Sequence, residues 1–380
     1  MTQQVLDNPQ SLELMLKDIK SAEKIYQPTN YWTRYEKELV PELRKTGLRN
    51  FRRRKNSILE SFGATDFHPT LCQFDFSRRV WCGKRWFANS FFRKWLNRIP
   101  NFAELWSKLL SMQDSRVNQR LSRKFTTEYN IEDIERLSYE LVRRKGKEAG
   151  AKPIEGIQAS LAGNPADIFK VGDRIYTASL LGYYLEYAYC CNFTDFDNIK
   201  IVVELGSGSG KQVEVIRKFH PDVCFLLFDI PPQLYVCQQY LSAVFPDSVV
   251  SYEKTRNMET LPKLEKGKIF IFGSWKFPIL EQVNIDLFWN AASFQEMEPE
   301  VVANYLFYVN SRASAVFLHE MMGGQELAKQ EGKCGVIKKT TLEDYKKGLS
   351  NFQLVDISQA EGPIKTLTDH SNSFWKKIKD

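Results

Sequence analysis

The segment that most restricts the fold of this chain is Val202-Val203-Glu204-Leu205-Gly206-Ser207-Gly208-Ser209-Gly210, an apolar run with one acidic residue that leads into three glycines at alternate positions. Glycine lets the backbone turn sharply and approach a ligand, and a helix that follows presents free N–H groups to a carboxylate or phosphate. The pattern is G-x-G-x-G. In a dinucleotide site the third glycine would fall one place later, and the acidic residue before the loop would have no standard role. From here on, strand-like and helix-like stretches alternate. Ile199–Leu205 and Val223–Ile230 read as short strands, and Gln212–Phe219 and Gln233–Phe245 have helical spacing. Lys268–Phe272, Ile285–Asn290 and Ala315–Leu318 supply three further strands. The rhythm predicts an α/β chain: a parallel sheet with helices on both faces.

Upstream, residues 11–28, 31–60 and 131–144 have helical spacing, and Lys145–Pro153, with two Gly and one Pro, reads as a junction. Two units are expected: a mostly helical region at 1–150 and the sheet-bearing unit at 155–380. The apolar share of 43% and aromatic share of 13% exclude a disordered or collagen-like chain. No run approaches the roughly 18 apolar residues of a membrane span. Ala178–Thr194, the most apolar stretch, carries Glu186 and reads as a buried helix. Met1–Gln10 lacks the basic and then apolar pattern of a secretory leader, and the 7 cysteines form no C-x-x-C pair. A soluble, cytoplasmic protein with reduced thiols is expected.

A second acidic residue stands at the end of the next strand, in Phe225-Leu226-Leu227-Phe228-Asp229-Ile230-Pro231-Pro232, about 20 residues beyond the loop. Its carboxylate can accept both hydroxyls of a ribose, or cap the helix that follows. Together these segments resemble the S-adenosylmethionine-dependent methyltransferases of the Rossmann-like type, whose signature E/D-x-G-x-G-x-G the run Glu204–Gly210 matches residue for residue. The resemblance implies S-adenosylmethionine as cofactor. Glu204 would face the methionine amino end, and Gly206, Ser207, Gly208 and Gly210 would pack against the methionine part. Asp229 would hold the ribose and Ile230 one face of the adenine. Gly273, Ser274 and Trp275 would border the adenine, and Asn290 would lie beside the sulfonium, although Trp275 and Asn290 can equally be core residues at strand ends. Ser160–Phe317, notably Gly163-Asn164-Pro165, Leu185-Glu186-Tyr187-Ala188-Tyr189 and Ala292-Ser293-Phe294-Gln295-Glu296-Met297, is similar to the bacterial sugar O-methyltransferase family, which implies polysaccharide biosynthesis and a sugar, nucleotide-sugar or glycan acceptor, lipid-linked glycans included.

Methyl transfer to a hydroxyl is an in-line displacement in which a base takes the proton. Plant-type small-molecule O-methyltransferases carry a His-Asp pair after the fourth strand, where this chain has Gln295-Glu296. Glu296 is therefore the first choice of base and His319 the second; Glu296 can also be a helix cap, and His319 a surface-facing strand terminus. Of the 4 histidines, His220 reads as a helix end. Asp286, Glu296, Glu320 and Asp344 follow no H-x-H or H-x-x-E pattern, so no obligatory metal is expected.

Charge divides unevenly. Residues 1–150 hold 29 Lys/Arg against 18 Asp/Glu, and 151–380 hold 24 against 28. Between Pro41 and Phe125 the count is 19 against 6, with Trp81, Trp86, Phe87, Phe91, Phe92, Trp95 and Trp106 interleaved. This stretch suits a helical cap with solvated bases, an anionic glycan site, an anionic membrane surface, or nucleic acid. The rival function is an RNA methyltransferase or nucleic-acid-binding protein. It ranks lower because Asn290-Ala291-Ala292-Ser293 is not the N-P-P-Y type of tetrad that holds flipped bases.

Overall fold

The computed structural model describes residues 4–54, 57–66, 131–363 and 366–378. The stretch from Trp81 to Trp106, with Arg85 and Arg93, lies outside the described residues, and so does His68. A small antiparallel hairpin, β1 (Phe169–Val171) and β2 (Arg174–Tyr176), precedes the main sheet. The main sheet comprises β3 (Ile201–Leu205), β4 (Cys224–Asp229), β5 (Val249–Val250), β6 (Ile269–Gly273), β7 (Ile285–Ala291), β8 (Ala313–Glu320), β9 (Phe352–Glu361) and β10 (Thr366–Lys377). Its 8 strands lie in the order β5-β6-β4-β3-β7-β8-β10-β9. Strands β3 to β8 pair in parallel, and β10 runs antiparallel between β8 and β9. Every residue of β4 is buried, as a strand covered on both faces requires.

The helices are α1 (Pro9–Ile19), α2 (Asn30–Thr46), α3 (Ser57–Ser61), α4 (Ile131–Glu148), α5 (Ala178–Cys191), α6 (Lys211–Phe219), α7 (Pro231–Val244), α8 (Tyr252–Thr255), α9 (Pro299–Arg312) and α10 (Leu342–Gly348). One core lies between the sheet and α5, α6 and α7, and α1 adds Leu12, Met15 and Leu16 to it. The other holds Val302, Tyr305, Leu306 and Val309 of α9 with Tyr345 and Leu349. The apolar spacing of α1 faces α7, and Arg256 fastens its end through paired bonds of 2.6 and 2.7 Å to Asp18. None of the described helices is long and apolar enough to cross a membrane.

Three expectations are corrected. The helical spacing over 31–60 is broken at Gly47, whose φ of +56° ends α2. The supposed junction starts inside α4: a side chain at Gly146 would come within 2.0 Å of the Tyr184 hydroxyl, so this glycine lets α4 and α5 pack closely. The C-terminal hairpin β9–β10, absent from the sequence reading, closes the sheet edge beyond β8.

The order of strands reverses between β3 and β7, because β4 and β6 extend the sheet one way from β3 and β7 and β8 the other. Such a switch point leaves a crevice at the carboxyl ends of the strands. Behind it sits a buried ionic cluster. Asp66 accepts from Arg52 Nε at 2.5 Å and from Lys211 Nζ at 2.9 Å, and Arg52 also donates to the Ser160 carbonyl at 2.6 Å. The two cations keep the Asp66 carboxyl below its ordinary pKa against burial, although burial lowers Lys211 itself. Lys211 is the first residue of α6, so the cluster fixes the helix that follows the glycine loop. Replacing Asp66 by Asn strands two buried cations and is expected to cost about 3–5 kcal/mol of stability. Urea unfolding measures it, and a loss under about 1 kcal/mol would mean that the cations find water or another anion.

Candidate active site

At the end of β3 the chain turns through Gly206, Ser207 and Gly208 into α6. Gly206 and Gly208 have φ of +76° and +53°, the left-handed region that favours glycine. Space forbids a side chain as well. A Cβ on Gly206 would lie 2.4 Å from Ser293 Oγ, and one on Gly208 would lie 2.9 Å from the Phe62 carbonyl oxygen. The loop is braced from β4: Asp229 accepts from the Gly208 N–H and from its own neighbour Ile230 N–H, each at 2.8 Å.

Beside this loop opens a cavity of about 270 Å³. Tyr26–Trp32 and Ser61–Gly63 form its cover. The cover is fastened to the sheet: Thr29 Oγ1 donates to the Glu296 carbonyl at 2.8 Å, Trp32 Nε1 to Glu296 Oε2 at 2.9 Å, and Ser274 Oγ to the Tyr26 carbonyl at 3.1 Å.

Four carboxylates line the cavity, Glu186 from α5, Glu204 from β3, Asp229 from β4 and Glu296 from the turn after β7, and no Lys or Arg stands among its described lining. Burial pushes Glu186 up to about 8 and Asp229 up to about 7, the latter against the pull of its two N–H bonds. Glu204 is raised well above the usual carboxylate range by burial and by the nearby Glu186 and Asp229. Burial likewise raises Glu296, although Trp32 and Tyr31 donate to it. Several polar atoms there are buried without a protein partner: Glu186 Oε2, both amide atoms of Gln212 and Gln233 Oε1. Buried polar groups are ordinarily paired, so this set reads as ligand-facing.

Of the residues singled out by sequence, Glu204, Gly206, Ser207, Gly208, Asp229, Ile230, Ser274, Glu296 and His319 line the cavity together. Gly210, Gly273, Trp275 and Asn290 do not. Gly210 caps α6 and faces Leu241 and Cys237. Trp275 lies close over Gly273 and packs edge-on to Tyr252, with ring centroids 6.1 Å apart. Asn290 is fully buried and donates to the Leu205 carbonyl at 2.8 Å and to Ser293 Oγ at 2.7 Å, the core role that the sequence left open. Asp286 binds the backbone N–H groups of Lys200 and Ile201 at the opposite end of β7, and Asp344 caps α10. No group of three or more His, Cys, Asp or Glu among the described residues is placed to hold a metal ion.

His319, near the end of β8, is buried, and its Nδ1 lies 2.7 Å from Asn372 Oδ1. Burial, with the neighbouring His370, pushes its pKa down to about 4. His220 stands at the end of α6 and meets Tyr187 at 2.9 Å. Sequence reasoning missed Gln212, Gln233, Trp32 and Asn372 as site residues. For Glu186 there was a signal, a lone charge in the apolar stretch of α5.

No family model and no curated protein matches the chain. Solved structures similar to part of it include the pyocyanin biosynthetic protein PhzM, with 13% identity, 53% of this chain and 57% of that one covered, and a TM-score of 0.35. Magnesium protoporphyrin IX methyltransferase ChlM from Synechocystis PCC 6803 with bound SAH has 10% identity, coverages of 53% and 84%, and a TM-score of 0.34. The O-methyltransferase NcsB1 from neocarzinostatin biosynthesis, in complex with S-adenosyl-L-homocysteine and 1,4-dihydroxy-2-naphthoic acid, has 16% identity, coverages of 53% and 57%, and a TM-score of 0.34. The match thus spans little more than half of PhzM and of NcsB1. Likeness of this extent assigns no chemistry to the cavity, whose residues have to be read on their own.

The raised carboxyls make stability depend on pH. Asp229 has a folded pKa of about 7 against an ordinary 3.8, so between these values the folded state binds more protons and stability falls as pH rises. Asp229→Asn removes this term. From pH 4 to pH 7 the wild type is therefore expected to lose stability relative to the variant, as read by thermal melts of both without ligand; a constant difference would mean that Asp229 stays ionised.

Proposed function

We propose that the chain is an S-adenosylmethionine-dependent methyltransferase that acts on a hydroxyl of a small, uncharged acceptor. The observation that carries this reading is the one-sided lining of the cavity: four carboxyl groups and no Lys or Arg among its described residues. Burial raises these carboxyls, a cation beside them favours their ionised form, and an anion finds no counter-charge. S-adenosylmethionine brings a sulfonium, an ammonium and a single carboxylate. Glu204 and Glu186 have acceptor capacity for the ammonium, and the unpaired Gln212 amide has a donor for the carboxylate. Asp229 is suited to the ribose hydroxyls, and Ile230 and Ser274 to the adenine. A dinucleotide would instead bring its pyrophosphate against the carboxylates.

When bound, S-adenosylmethionine supplies an electrophilic methyl group, whose bond to sulfur breaks with the electron pair passing to sulfur as the acceptor oxygen bonds to carbon. The protein's part is alignment and exclusion of water, for which the cover over the strand ends is suited. The similarity of Ser160–Phe317 to sugar O-methyltransferases favours a sugar hydroxyl as acceptor. Within that class a neutral sugar fits this lining better than a nucleotide sugar, and the same argument disfavours RNA.

Calorimetry on the purified chain tests the reading. Binding of S-adenosylmethionine and S-adenosylhomocysteine is expected, with none of NAD or FAD. Asp229→Ala should weaken it by about 1.5–3 kcal/mol, the scale of charge-assisted hydrogen bonds. Binding of NAD in place of S-adenosylmethionine would overturn the proposal.

A further inference from the structure

Two groups in the cavity could receive the hydroxyl proton, and their surroundings differ. Glu296 already accepts from the Trp32 indole at 2.9 Å, and burial raises its carboxyl well above the usual range. Burial favours the form that already carries a proton, which cannot take up another. His319 is held otherwise. It pairs directly with Asn372 across β8 and β10, and the two side chains meet at 2.7 Å through Nδ1 and Oδ1. An amide oxygen only accepts, so Nδ1 must carry the imidazole proton, and in the neutral ring Nε2 is then the bare acceptor.

The ring is also fixed in plane. His370 stacks on it with centroids 5.1 Å apart and an interplanar angle of 26°. His370 Nε2 accepts from Gln295 Nε2 at 3.2 Å, and Gln295 Oε1 accepts from the Met321 N–H at 2.6 Å. The imidazole therefore cannot turn without disturbing the turn that carries Glu296.

We propose that Asn372 is a positioning residue that holds His319 as the Nδ1–H tautomer, with Nε2 bare toward the cavity, and so makes His319 the base of the proposed methyl transfer. The inference rests on the function proposed above. As the oxygen–carbon bond forms, the hydroxyl proton passes to Nε2, and the imidazolium later releases it to water. Against the ring stand His370 and Asn372 of β10, with Asp369 beside His370, and Glu296, Glu204, Glu186 and Asp229 line the same cavity.

The test uses the full chain labelled with ¹⁵N-histidine, with long-range ¹H–¹⁵N spectra recorded from pH 4 to pH 8 and His319 assigned by its loss in His319→Gln. Expected for the wild type is a neutral Nδ1–H ring at pH 7.5. Asn372→Leu should admit the Nε2–H form, whereas Asn372→Asp should keep Nδ1–H and raise the titration midpoint by one unit or more. An Nε2–H ring or an imidazolium in the wild type at pH 7.5 would overturn the proposal, as would an unchanged spectrum in Asn372→Leu. S-adenosylhomocysteine binding, measured on the same wild-type sample, separates the two levels. Binding with the wrong tautomer removes only the assignment of the base, and absence of binding removes the function and the base with it.

Discussion

The site depends on one side chain at the point where the sheet changes direction. Asn290, fully buried at the end of β7, donates to the Leu205 carbonyl and to Ser293 Oγ, and its own Oδ1 accepts from the Phe294 N–H at 3.1 Å. One amide thus ties the end of β3, where the glycine loop starts, to the turn that carries Glu296. It also brings Ser293 up against Gly206, which is why no side chain fits there. Ala292, two residues after Asn290, takes a left-handed φ of +58°, a conformation that costs about 1–2 kcal/mol for an L-residue. Its N–H donates to the His319 carbonyl at 2.7 Å, so the strained turn is locked to β8 as well. Loop, turn and histidine are held as one piece because their backbones share these bonds.

A second layer of polar contacts works from the other side of the loop. The Arg52–Asp66–Lys211 cluster joins the segment after α3 to the first residue of α6. Glu214, one turn further along α6, accepts from the Ser160 N–H at 2.9 Å and from the hydroxyl of Tyr240 on α7. Buried ion pairs add little net stability compared with apolar packing, but they tolerate few alternative arrangements. Here they set where the helix N-terminus stands, and with it Gln212, whose amide the proposed cofactor's carboxylate would use.

The alternating strands and the glycine loop were legible from sequence because each rests on a local rule: β-branched runs form buried strands, and positive φ selects glycine. Glu204 and Asp229 followed, since the ends of two neighbouring parallel strands must lie at one edge of the sheet. Trp275 and Asn290 were ambiguous for a related reason. Both stand at strand ends, but whether a side chain turns into the crevice or into the core depends on neighbours such as Tyr252 and Ser293, which spacing does not reveal. Gly146 was misread because a glycine in a charged stretch looks like a linker, and only the Tyr184 ring against it explains its absence of a side chain. The hairpin β9–β10 was missed because its strand pattern is irregular: the register shifts between Phe374 and Trp375, and much of β9 faces outward.

That same hairpin accounts for the chemistry that sequence could not reach. His319 was visible as a residue at a strand end, but its partner Asn372 lies 53 positions away and meets it only through antiparallel pairing of β10. The cover shows the same dependence on distant chain, since Trp32 and Glu296 are 264 positions apart. Its bond to Trp32 gives Glu296 a fixed structural partner, and its burial favours the protonated form. The two candidate bases, with Glu296 ranked ahead of His319 by sequence, are therefore separated by what the fold lays beside them: an indole N–H beside the carboxyl group, and an amide oxygen beside the imidazole. The amide orients a proton without adding charge, which leaves the histidine neutral in a cavity that is already rich in carboxyl groups.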